Sequence, residues 1–168
     1  MEQPTPIQLE YKNYLRPGGR GIKLHLGCGD YWFDGYINVD KVVLGGTDMI
    51  WDIREKLPFQ NEVVELIESH DVIEHFTETE INPMLDDWYR VLIKGGKIIG
   101  TLPEFDRLIQ SGEPKMLEYI YGMGSDHRWG YTQETIKALF EKHNFQVTVI
   151  SFDTGKDPCP RMKVEATK

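Results

Sequence analysis

The stretch LHLGCGDYWFDGYINVD, residues 24–40, decides the fold. A short apolar run ends at Gly27 and Gly29, and a second apolar run ends at Asp40. In an open parallel sheet, ligands bind outside the carboxyl ends of the strands, where glycine lets a ligand approach the main chain. A carboxylate at the end of the neighbouring strand can accept both hydroxyl groups of a ribose. The stretch therefore predicts a nucleotide-type site, although a tight turn followed by a strand-end aspartate would use the same residues.

The spacing between the two runs argues against a dinucleotide. Residues 30–33 are Asp-Tyr-Trp-Phe, so the third glycine of a GxGxxG motif is missing. A dinucleotide fold also needs a helix there to bind the pyrophosphate, with its acidic residue about 20 positions further on. Only residues 30–39 separate Gly29 from Asp40, and part of them belongs to the second strand. A ligand with a ribose but no phosphate fits better, and S-adenosylmethionine (SAM) is such a ligand.

Composition and charge describe an ordinary globular protein. The chain has 168 residues, 40% of them hydrophobic, which predicts one domain with a sizeable core. The net charge of −8 disfavours binding to nucleic-acid backbones and anionic membranes. Cys28 and Cys159 form no CxxC pair, so neither a disulfide framework nor a zinc site is predicted, and no metal is expected. Without a signal-peptide pattern or a long apolar run, the sequence predicts a cytoplasmic protein.

Strand and helix patterns alternate along most of the chain. Residues 1–21 are rich in proline and glycine and are predicted to form an N-terminal arm, so that residues 22–168 form one α/β domain. The predicted strands are IKLHL (22–26), YINV (36–39), DMIW (48–51), EVVELIES (62–69), KIIGTL (97–102), FQVTVI (145–150) and RMKVEA (161–166). The alternation predicts a mostly parallel sheet covered on both faces, with the last two strands antiparallel to each other.

Two helices are predicted from apolar residues at helical spacing. The first begins either at Thr77, which forms a capping-box pattern with Glu80, or at Asn82, which precedes a proline. The second follows Thr132 and is expected to stop at Asn144, a residue that tolerates a left-handed conformation.

Four segments in order resemble the small class I SAM-dependent methyltransferases, of the methyltransferase type 11 kind. They are LHLGCGDYWFDGYINVD (24–40), WDIREKLPFQNEVVELIESHDVIEHF (51–76), WYRVLIKGGKIIGTLPEFDRL (88–108) and HRWGYTQETIKALFEKHNFQV (127–147). The resemblance runs from about residue 22 to 151. It implies a Rossmann-like three-layer sandwich with a mostly parallel seven-stranded sheet and an antiparallel C-terminal strand. It also implies SAM as the cofactor.

Cofactor-binding residues follow from the resemblance, position by position. Gly27, Cys28 and Gly29 would pass close to the methionine part of SAM. Asp40 would bind the ribose hydroxyl groups, and Asp52 would accept a hydrogen bond from the adenine amino group, with the Ile53 backbone beside it. The residues expected beneath the sulfonium are Ser69, His70 and Asp71.

Two positions depart from the usual pattern of this family. Most class I enzymes have an acidic residue two positions before the first motif glycine, and this chain has His25 there. The group that meets the SAM ammonium is therefore open, with Asp30 and Asp71 as alternatives. The KGG turn at residues 94–96 also lacks the usual proline.

Methyl transfer from a sulfonium depends mainly on holding the nucleophile, the methyl group and the sulfur in line, because the leaving group is neutral. A general base matters when the acceptor is a hydroxyl group, and a histidine with a pKa near neutral can take that proton. His127 and His75 are the candidate catalytic residues, with Tyr131 as a further candidate base. A structural role is the alternative for each histidine.

The acceptor is expected to be a small molecule, such as a sugar or a cell-surface precursor, by analogy with the family alone. No [DNS]PP[YFW] motif follows the fourth strand, and no basic stripe interleaved with aromatic residues is present, so nucleic acid is disfavoured. Two alternatives remain open. One is a SAM-binding module without transferase activity, or a subunit that supports a partner, and the other is a nicotinamide-dependent oxidoreductase.

Overall fold

One seven-stranded sheet organises the protein, with its strands in the order β3-β2-β1-β4-β5-β7-β6. The structure is a computed structural model and describes residues 21–112, 126–153 and 159–168. Apart from Gly21, the predicted N-terminal arm lies outside the described residues. The strands are β1 (Ile22–Leu26), β2 (Ile37–Asp40), β3 (Met49–Ile50), β4 (Val64–His70), β5 (Leu92–Pro103), β6 (Gln146–Phe152) and β7 (Arg161–Thr167).

The strand directions confirm the predicted mixed sheet. Strands β3, β2, β1, β4 and β5 run parallel to one another, with Leu24 beside Ile67 and Ile67 beside Ile98. Strand β7 is antiparallel both to β5 and to β6. The chain moves outward from β1 to β3 and then returns to place β4 on the other side of β1. The switch point between β1 and β4 is where such sheets bind ligands.

The hydrophobic core lies on one face of the sheet. Leu24, Ile67, Ile98 and Ala166 share this face through the strand register, and all are 0% exposed. On the other face, the residues of the adjacent register row are polar or only half-buried: Lys23, Leu66, Lys97 and Thr167. The parallel strands are therefore amphipathic rather than apolar throughout, within the part of the chain that is described.

Three α-helices and a short 3₁₀ turn are present among the described residues. They are the 3₁₀ turn Ile73–His75, α1 (Glu78–Val91), α2 (Phe105–Ser111) and α3 (Gln133–Lys142). Helices α1 and α3 pack on the core face through Trp88 and Phe140, both 0% exposed. Among the described residues, no helix combines the length and the apolar character that a membrane span requires.

The helix ends show which local signals operate. Helix α1 begins after Thr77, whose backbone N–H donates to Glu80 Oε2 at 2.9 Å, so the capping box sets the start and Pro83 lies inside the helix. Helix α3 begins after Thr132, as predicted. Asn144 has φ +68°, which confirms the expected left-handed stop after this helix.

Candidate active site

A cavity of about 240 Å³ opens at the carboxyl ends of β1, β2, β3 and β4. Its walls come from the loops that follow these strands, from the first turns of α1 and from the segment before α3. The lining residues are Gly27, Asp40, Lys41, Trp51, Asp52, Ile53, Arg54, Asp71, Val72, His75, Phe76, Glu80, Asp126 and Arg128. The cavity thus stands at the switch point of the sheet, where the sequence predicted a nucleotide-type ligand.

The glycine loop after β1 is tied to the end of β2. The N–H groups of Gly27 and Cys28 both donate to Val39 O, at 2.8 and 3.1 Å. The Gly29 N–H donates to Asp40 Oδ2 at 3.0 Å. Asp40 therefore fixes the loop and also presents its carboxylate to the cavity, where it retains lone pairs for ribose hydroxyl groups.

The two glycines of this loop serve different purposes. Gly27 and Gly29 both have left-handed backbone conformations, with φ +70° and +54°. A Cβ atom on Gly27 would lie 2.5 Å from Val72 Cγ2, whereas nothing lies within 4 Å of the same position on Gly29. Gly27 is needed for close packing against the loop after β4, and Gly29 is needed for its backbone conformation alone.

The loop after β3 brings Asp52 and Ile53 to the cavity wall, next to Arg54. Arg54 Nε donates to Asp52 Oδ1 at 3.0 Å, and this hydrogen bond holds the pKa of Asp52 below its usual value. Asp52 is therefore a carboxylate that is already charged and held in place before any ligand binds. A carboxylate held in this way can accept a hydrogen bond from an adenine amino group.

The sequence did not indicate the ion pairs at the mouth of the cavity. Arg54 also approaches Glu80 with its Nη1 3.5 Å from Oε1, and Arg128 approaches the same carboxylate with its Nη1 3.4 Å from Oε2. These contacts join the loop after β3, the start of α1 and the segment before α3. Each pair is solvent-exposed and contributes little to stability. Nothing in the local sequence signals them, because the partners come from separate loops.

Five of the nine predicted cofactor-binding residues line the cavity, and four do not. Gly27, Asp40, Asp52, Ile53 and Asp71 line the cavity. The other predicted residues, Cys28, Gly29, Ser69 and His70, are absent from its lining.

Each residue outside the lining has a defined position. The side chain of Cys28 is buried, and its Sγ lies 3.9 Å from Thr47 Oγ1. Ser69 is 1% exposed at the end of β4. His70 pairs with Glu68, its Nε2 2.8 Å from Oε2, and approaches Thr101 on the other side of its ring.

His25 has a structural environment away from the cavity. It is 2% exposed, its Nδ1 lies 3.1 Å from Asn38 Oδ1, and its ring stacks on Phe33 with centroids 4.1 Å apart. Burial lowers the pKa of His25, which favours the neutral ring. His25 therefore does not replace the acidic residue at the SAM ammonium. Of the two alternatives, Asp71 lines the cavity, whereas Asp30 is exposed and is not among the lining residues.

A second group of polar residues lies at the 3₁₀ turn, and of its three members only His75 is among the residues that line the cavity. We call Glu74, His75 and His127 the Glu–His cluster. The rings of His75 and His127 have centroids 4.9 Å apart, and His127 Nε2 lies 3.9 Å from Glu74 Oε1. The two candidate catalytic histidines are thus neighbours in space, although they are distant in the sequence.

Backbone hydrogen bonds hold this cluster together. The N–H groups of Arg128 and Trp129 both donate to Glu74 O, at 2.8 and 3.1 Å. They dock the segment that carries His127 onto the 3₁₀ turn. Gly130 supports the same docking, because a Cβ atom there would lie 2.5 Å from the ring of Phe105.

Glu74 is the residue of the cluster that sequence reasoning missed. It is 2% exposed, and neither of its carboxylate oxygens has a hydrogen bond of ordinary geometry within the described residues. Burial, with a smaller contribution from the neighbouring Asp71 carboxylate, raises the pKa of Glu74 to about 8. Burial and the same Glu74 carboxylate raise the pKa of Tyr131, which disfavours Tyr131 as a base.

One family model matches part of the chain. Residues 47–100 match the family model described as a methyltransferase domain. No curated protein matches the chain.

Solved structures with the same fold cover most of the chain. One is a SAM-dependent methyltransferase from Archaeoglobus fulgidus, with 16% identity, a TM-score of 0.67, and coverage of 95% of this chain and 90% of that one. A second, from Burkholderia thailandensis, is a 1,6-didemethyltoxoflavin-N1-methyltransferase with bound S-adenosylhomocysteine. It has 12% identity, a TM-score of 0.66, and coverage of 89% and 72%. At these identities the likeness concerns the fold alone.

The fold is the Rossmann-like fold that these methyltransferases share, a seven-stranded sheet that includes an antiparallel strand. The methyltransferase-domain model matches about a third of the chain, and together with this fold it supports a SAM-dependent methyltransferase with S-adenosyl-L-methionine as cofactor.

Proposed function

We propose that the protein transfers the methyl group of SAM to a small-molecule acceptor, such as a sugar or a cell-surface precursor. One observation carries this proposal. One cavity is lined both by Gly27 and Asp40 and by His75 and Arg128. Cofactor-type and acceptor-type residues therefore line the same cavity, as methyl transfer between two ligands bound side by side requires.

Within this space, we assign the cofactor as the resemblance implies. The methionine part would follow the loop of Gly27, Cys28 and Gly29. The ribose would bind to Asp40, and the adenine would lie beside Asp52 and Ile53. Support comes from the carboxylates of Asp40 and Asp52, which are held in place by Gly29 and Arg54, so little reorganisation accompanies binding.

At the other end of the cofactor, Ser69, His70 and Asp71 stay the predicted residues near the sulfonium. Asp71 has the strongest support, because it lines the cavity and adopts an unusual left-handed conformation with φ +55°. Such conformations in non-glycine residues concentrate at functional sites.

The proposed catalytic residues are His127 and His75. The acceptor would lie beside the Glu–His cluster, in line with the methyl group and the sulfur. The reaction forms a bond from the acceptor atom to the methyl carbon and breaks the carbon–sulfur bond, which leaves a neutral thioether. When the acceptor is a hydroxyl group, its proton must also be removed, and we assign that step to one of the two histidines.

Calorimetric titration with SAM, S-adenosylhomocysteine and NAD tests the cofactor. We expect micromolar affinity for the first two ligands and no binding of NAD. Asp40→Ala should abolish binding, and Asp34→Ala is the matched control, because Asp34 is an exposed aspartate outside the cavity. Unchanged affinity in Asp40→Ala would refute the ribose assignment.

Turnover with methyl-labelled SAM tests the transferase. Label should move to a compound in a pool of small hydroxylated molecules, and His127→Ala should lower the rate while leaving SAM affinity intact. Label transfer to RNA, DNA or protein instead would refute the small-molecule acceptor. Tight SAM binding without transfer to any pool would favour the non-catalytic module. The cytoplasmic location stays a prediction.

A further inference from the structure

The Glu–His cluster has the composition of a metal site. Glu74, His75 and His127 each offer one ligand atom, and these atoms all lie within 4.8 Å of one another. Two imidazoles and one carboxylate are a common ligand set for Zn²⁺, Mn²⁺ and Fe²⁺ in proteins, and three protein ligands leave positions open for water or substrate. The sequence did not predict a metal, because His127 is far from the other two residues in the chain.

The buried carboxylate of Glu74 provides a second, independent observation. Its side chain is enclosed, it points toward the two histidines, and neither oxygen has a hydrogen bond of ordinary geometry in the described ranges. Buried polar groups in folded proteins normally have partners, and an exception calls for an explanation such as a bound ion. Glu74 also interacts with the neighbouring Asp71 carboxylate, a group of the same charge, and a cation between Glu74 and the histidines would offset that charge.

A Glu–His catalytic pair without a metal is the competing explanation of this geometry. In such a pair the carboxylate accepts a hydrogen bond from the ring and orients it. The distance from Glu74 Oε1 to His127 Nε2 is 3.9 Å, which is too long for a hydrogen bond. A metal ion needs a gap between its ligands, because each ligand atom lies about 2.0–2.2 Å from the ion and so about 3 Å or more from the next.

We propose that Glu74, His75 and His127 bind a divalent transition-metal ion of the Zn²⁺ or Mn²⁺ kind, at the acceptor end of the cavity. The ligand atoms need to approach one another by about an ångström to reach normal coordination distances. His75 and His127 are only half-buried, and the adjustment would rotate their rings and rearrange the contacts that His127 makes. The backbone hydrogen bonds from Arg128 and Trp129 to Glu74 O hold the two segments in place meanwhile.

The position of the ion has a consequence for the acceptor, which rests on the proposed function. Since His75 also lines the cavity, the open coordination positions face the space proposed for the acceptor. An oxygen bound to such an ion loses its proton more readily. We infer that the acceptor atom is a hydroxyl oxygen. Its lone pair forms the new carbon–oxygen bond, the electrons of the broken carbon–sulfur bond return to sulfur, and the proton passes to water.

Metal binding is tested on the untagged full chain after removal of metal with a chelator. MnCl₂ and ZnCl₂ are titrated by calorimetry, and CoCl₂ is added as a spectroscopic probe of coordination. We expect one ion per chain, and visible absorption bands with Co²⁺. Loss of an outer-shell partner weakens metal binding about 10- to 100-fold. Glu74→Gln and His127→Ala remove a direct ligand, so each should weaken metal binding by more than about 100-fold.

Two controls make the outcome decisive. Glu78→Gln is the same change at an exposed position one turn further along, and it should bind the metal as the native chain does. S-adenosylhomocysteine is titrated into every variant, and unchanged affinity shows that the fold and the cofactor site are intact. Wild-type protein that takes up none of the three ions, or a Glu74→Gln variant that binds them as tightly as the native chain, overturns the metal proposal.

The same measurements separate this proposal from the proposed function. Cofactor binding without metal binding refutes the metal site and leaves the methyltransferase function standing, with His127 as a direct base. Metal binding without cofactor binding refutes the cofactor assignment and leaves the metal site standing.

Discussion

Gly27→Ala should be much more damaging than Gly29→Ala, although the two glycines are neighbours in one loop. Both residues have positive φ, so each substitution costs roughly 1–2 kcal/mol for the left-handed conformation alone. Only at Gly27 does the new Cβ atom collide with a neighbour, 2.5 Å from Val72 Cγ2, where carbon atoms prefer about 3.5–4.0 Å. Overpacking of this kind costs roughly 1–3 kcal/mol more.

The collision can be tested by a double-mutant cycle with Val72→Ala. Alanine at position 72 removes both γ carbons, so Gly27→Ala should cost less in that background, by about 1–3 kcal/mol. Urea unfolding of the four proteins measures the free energies of unfolding, and Gly29→Ala in both backgrounds is the matched control, with no coupling expected. The reasoning would be wrong if Gly27→Ala cost no more than Gly29→Ala, or if Val72→Ala brought no relief.

Three further predictions concern the site and the helix that borders it. Asp40→Asn should weaken S-adenosylhomocysteine binding about 10- to 100-fold, because charge-assisted hydrogen bonds become neutral ones; calorimetry measures this, with Asp34→Asn as the control that should change nothing. With metal removed, the free energy of unfolding should fall as pH rises from about 4.5 to 8, because burial raises the pKa of Glu74 to about 8. Glu74→Gln should remove this pH dependence, and identical pH profiles of unfolding for the two proteins would contradict the prediction. Thr77→Ala removes the hydroxyl that donates to Glu80 Oε2 at 2.8 Å and should lower the free energy of unfolding by about 1 kcal/mol in urea; no change would exclude a role for this side chain in the cap.

Much of the fold could be predicted because its signals are local. A short apolar run indicates a strand, and apolar residues three and four positions apart indicate a helix. Both patterns lie within a few residues of sequence. The capping box at Thr77 and the left-handed stop at Asn144 are equally local. Boundaries were less predictable. Strand β5 extends over Leu92–Pro103, although the apolar pattern covered only residues 97–102, because pairing with β4 and β7 continues beyond the apolar residues.

The cofactor end of the site was predictable for a related reason. Gly27 and Asp40 each follow a strand directly, and the carboxyl ends of neighbouring parallel strands must meet at one edge of the sheet. The position of Asp40 beside the glycine loop therefore follows once β1 and β2 are recognised as neighbours. His25 illustrates the limit, since its contacts with Asn38 and Phe33 depend on which face of the sheet it occupies and on the path of the following loop.

The sequence alone was enough for the order of the strands and of two helices, for the lack of room for a phosphate-binding helix after Gly29, and for the match to a methyltransferase domain. It did not predict the short helix α2 (Phe105–Ser111). The tertiary structure was needed to show that the buried Glu74 lies beside His75 and His127. The physical reason is that the hydrogen bonds from Arg128 and Trp129 to Glu74 O join two distant segments through their backbones. Backbone groups are the same in every residue, so no side-chain pattern reveals which distant segments they join.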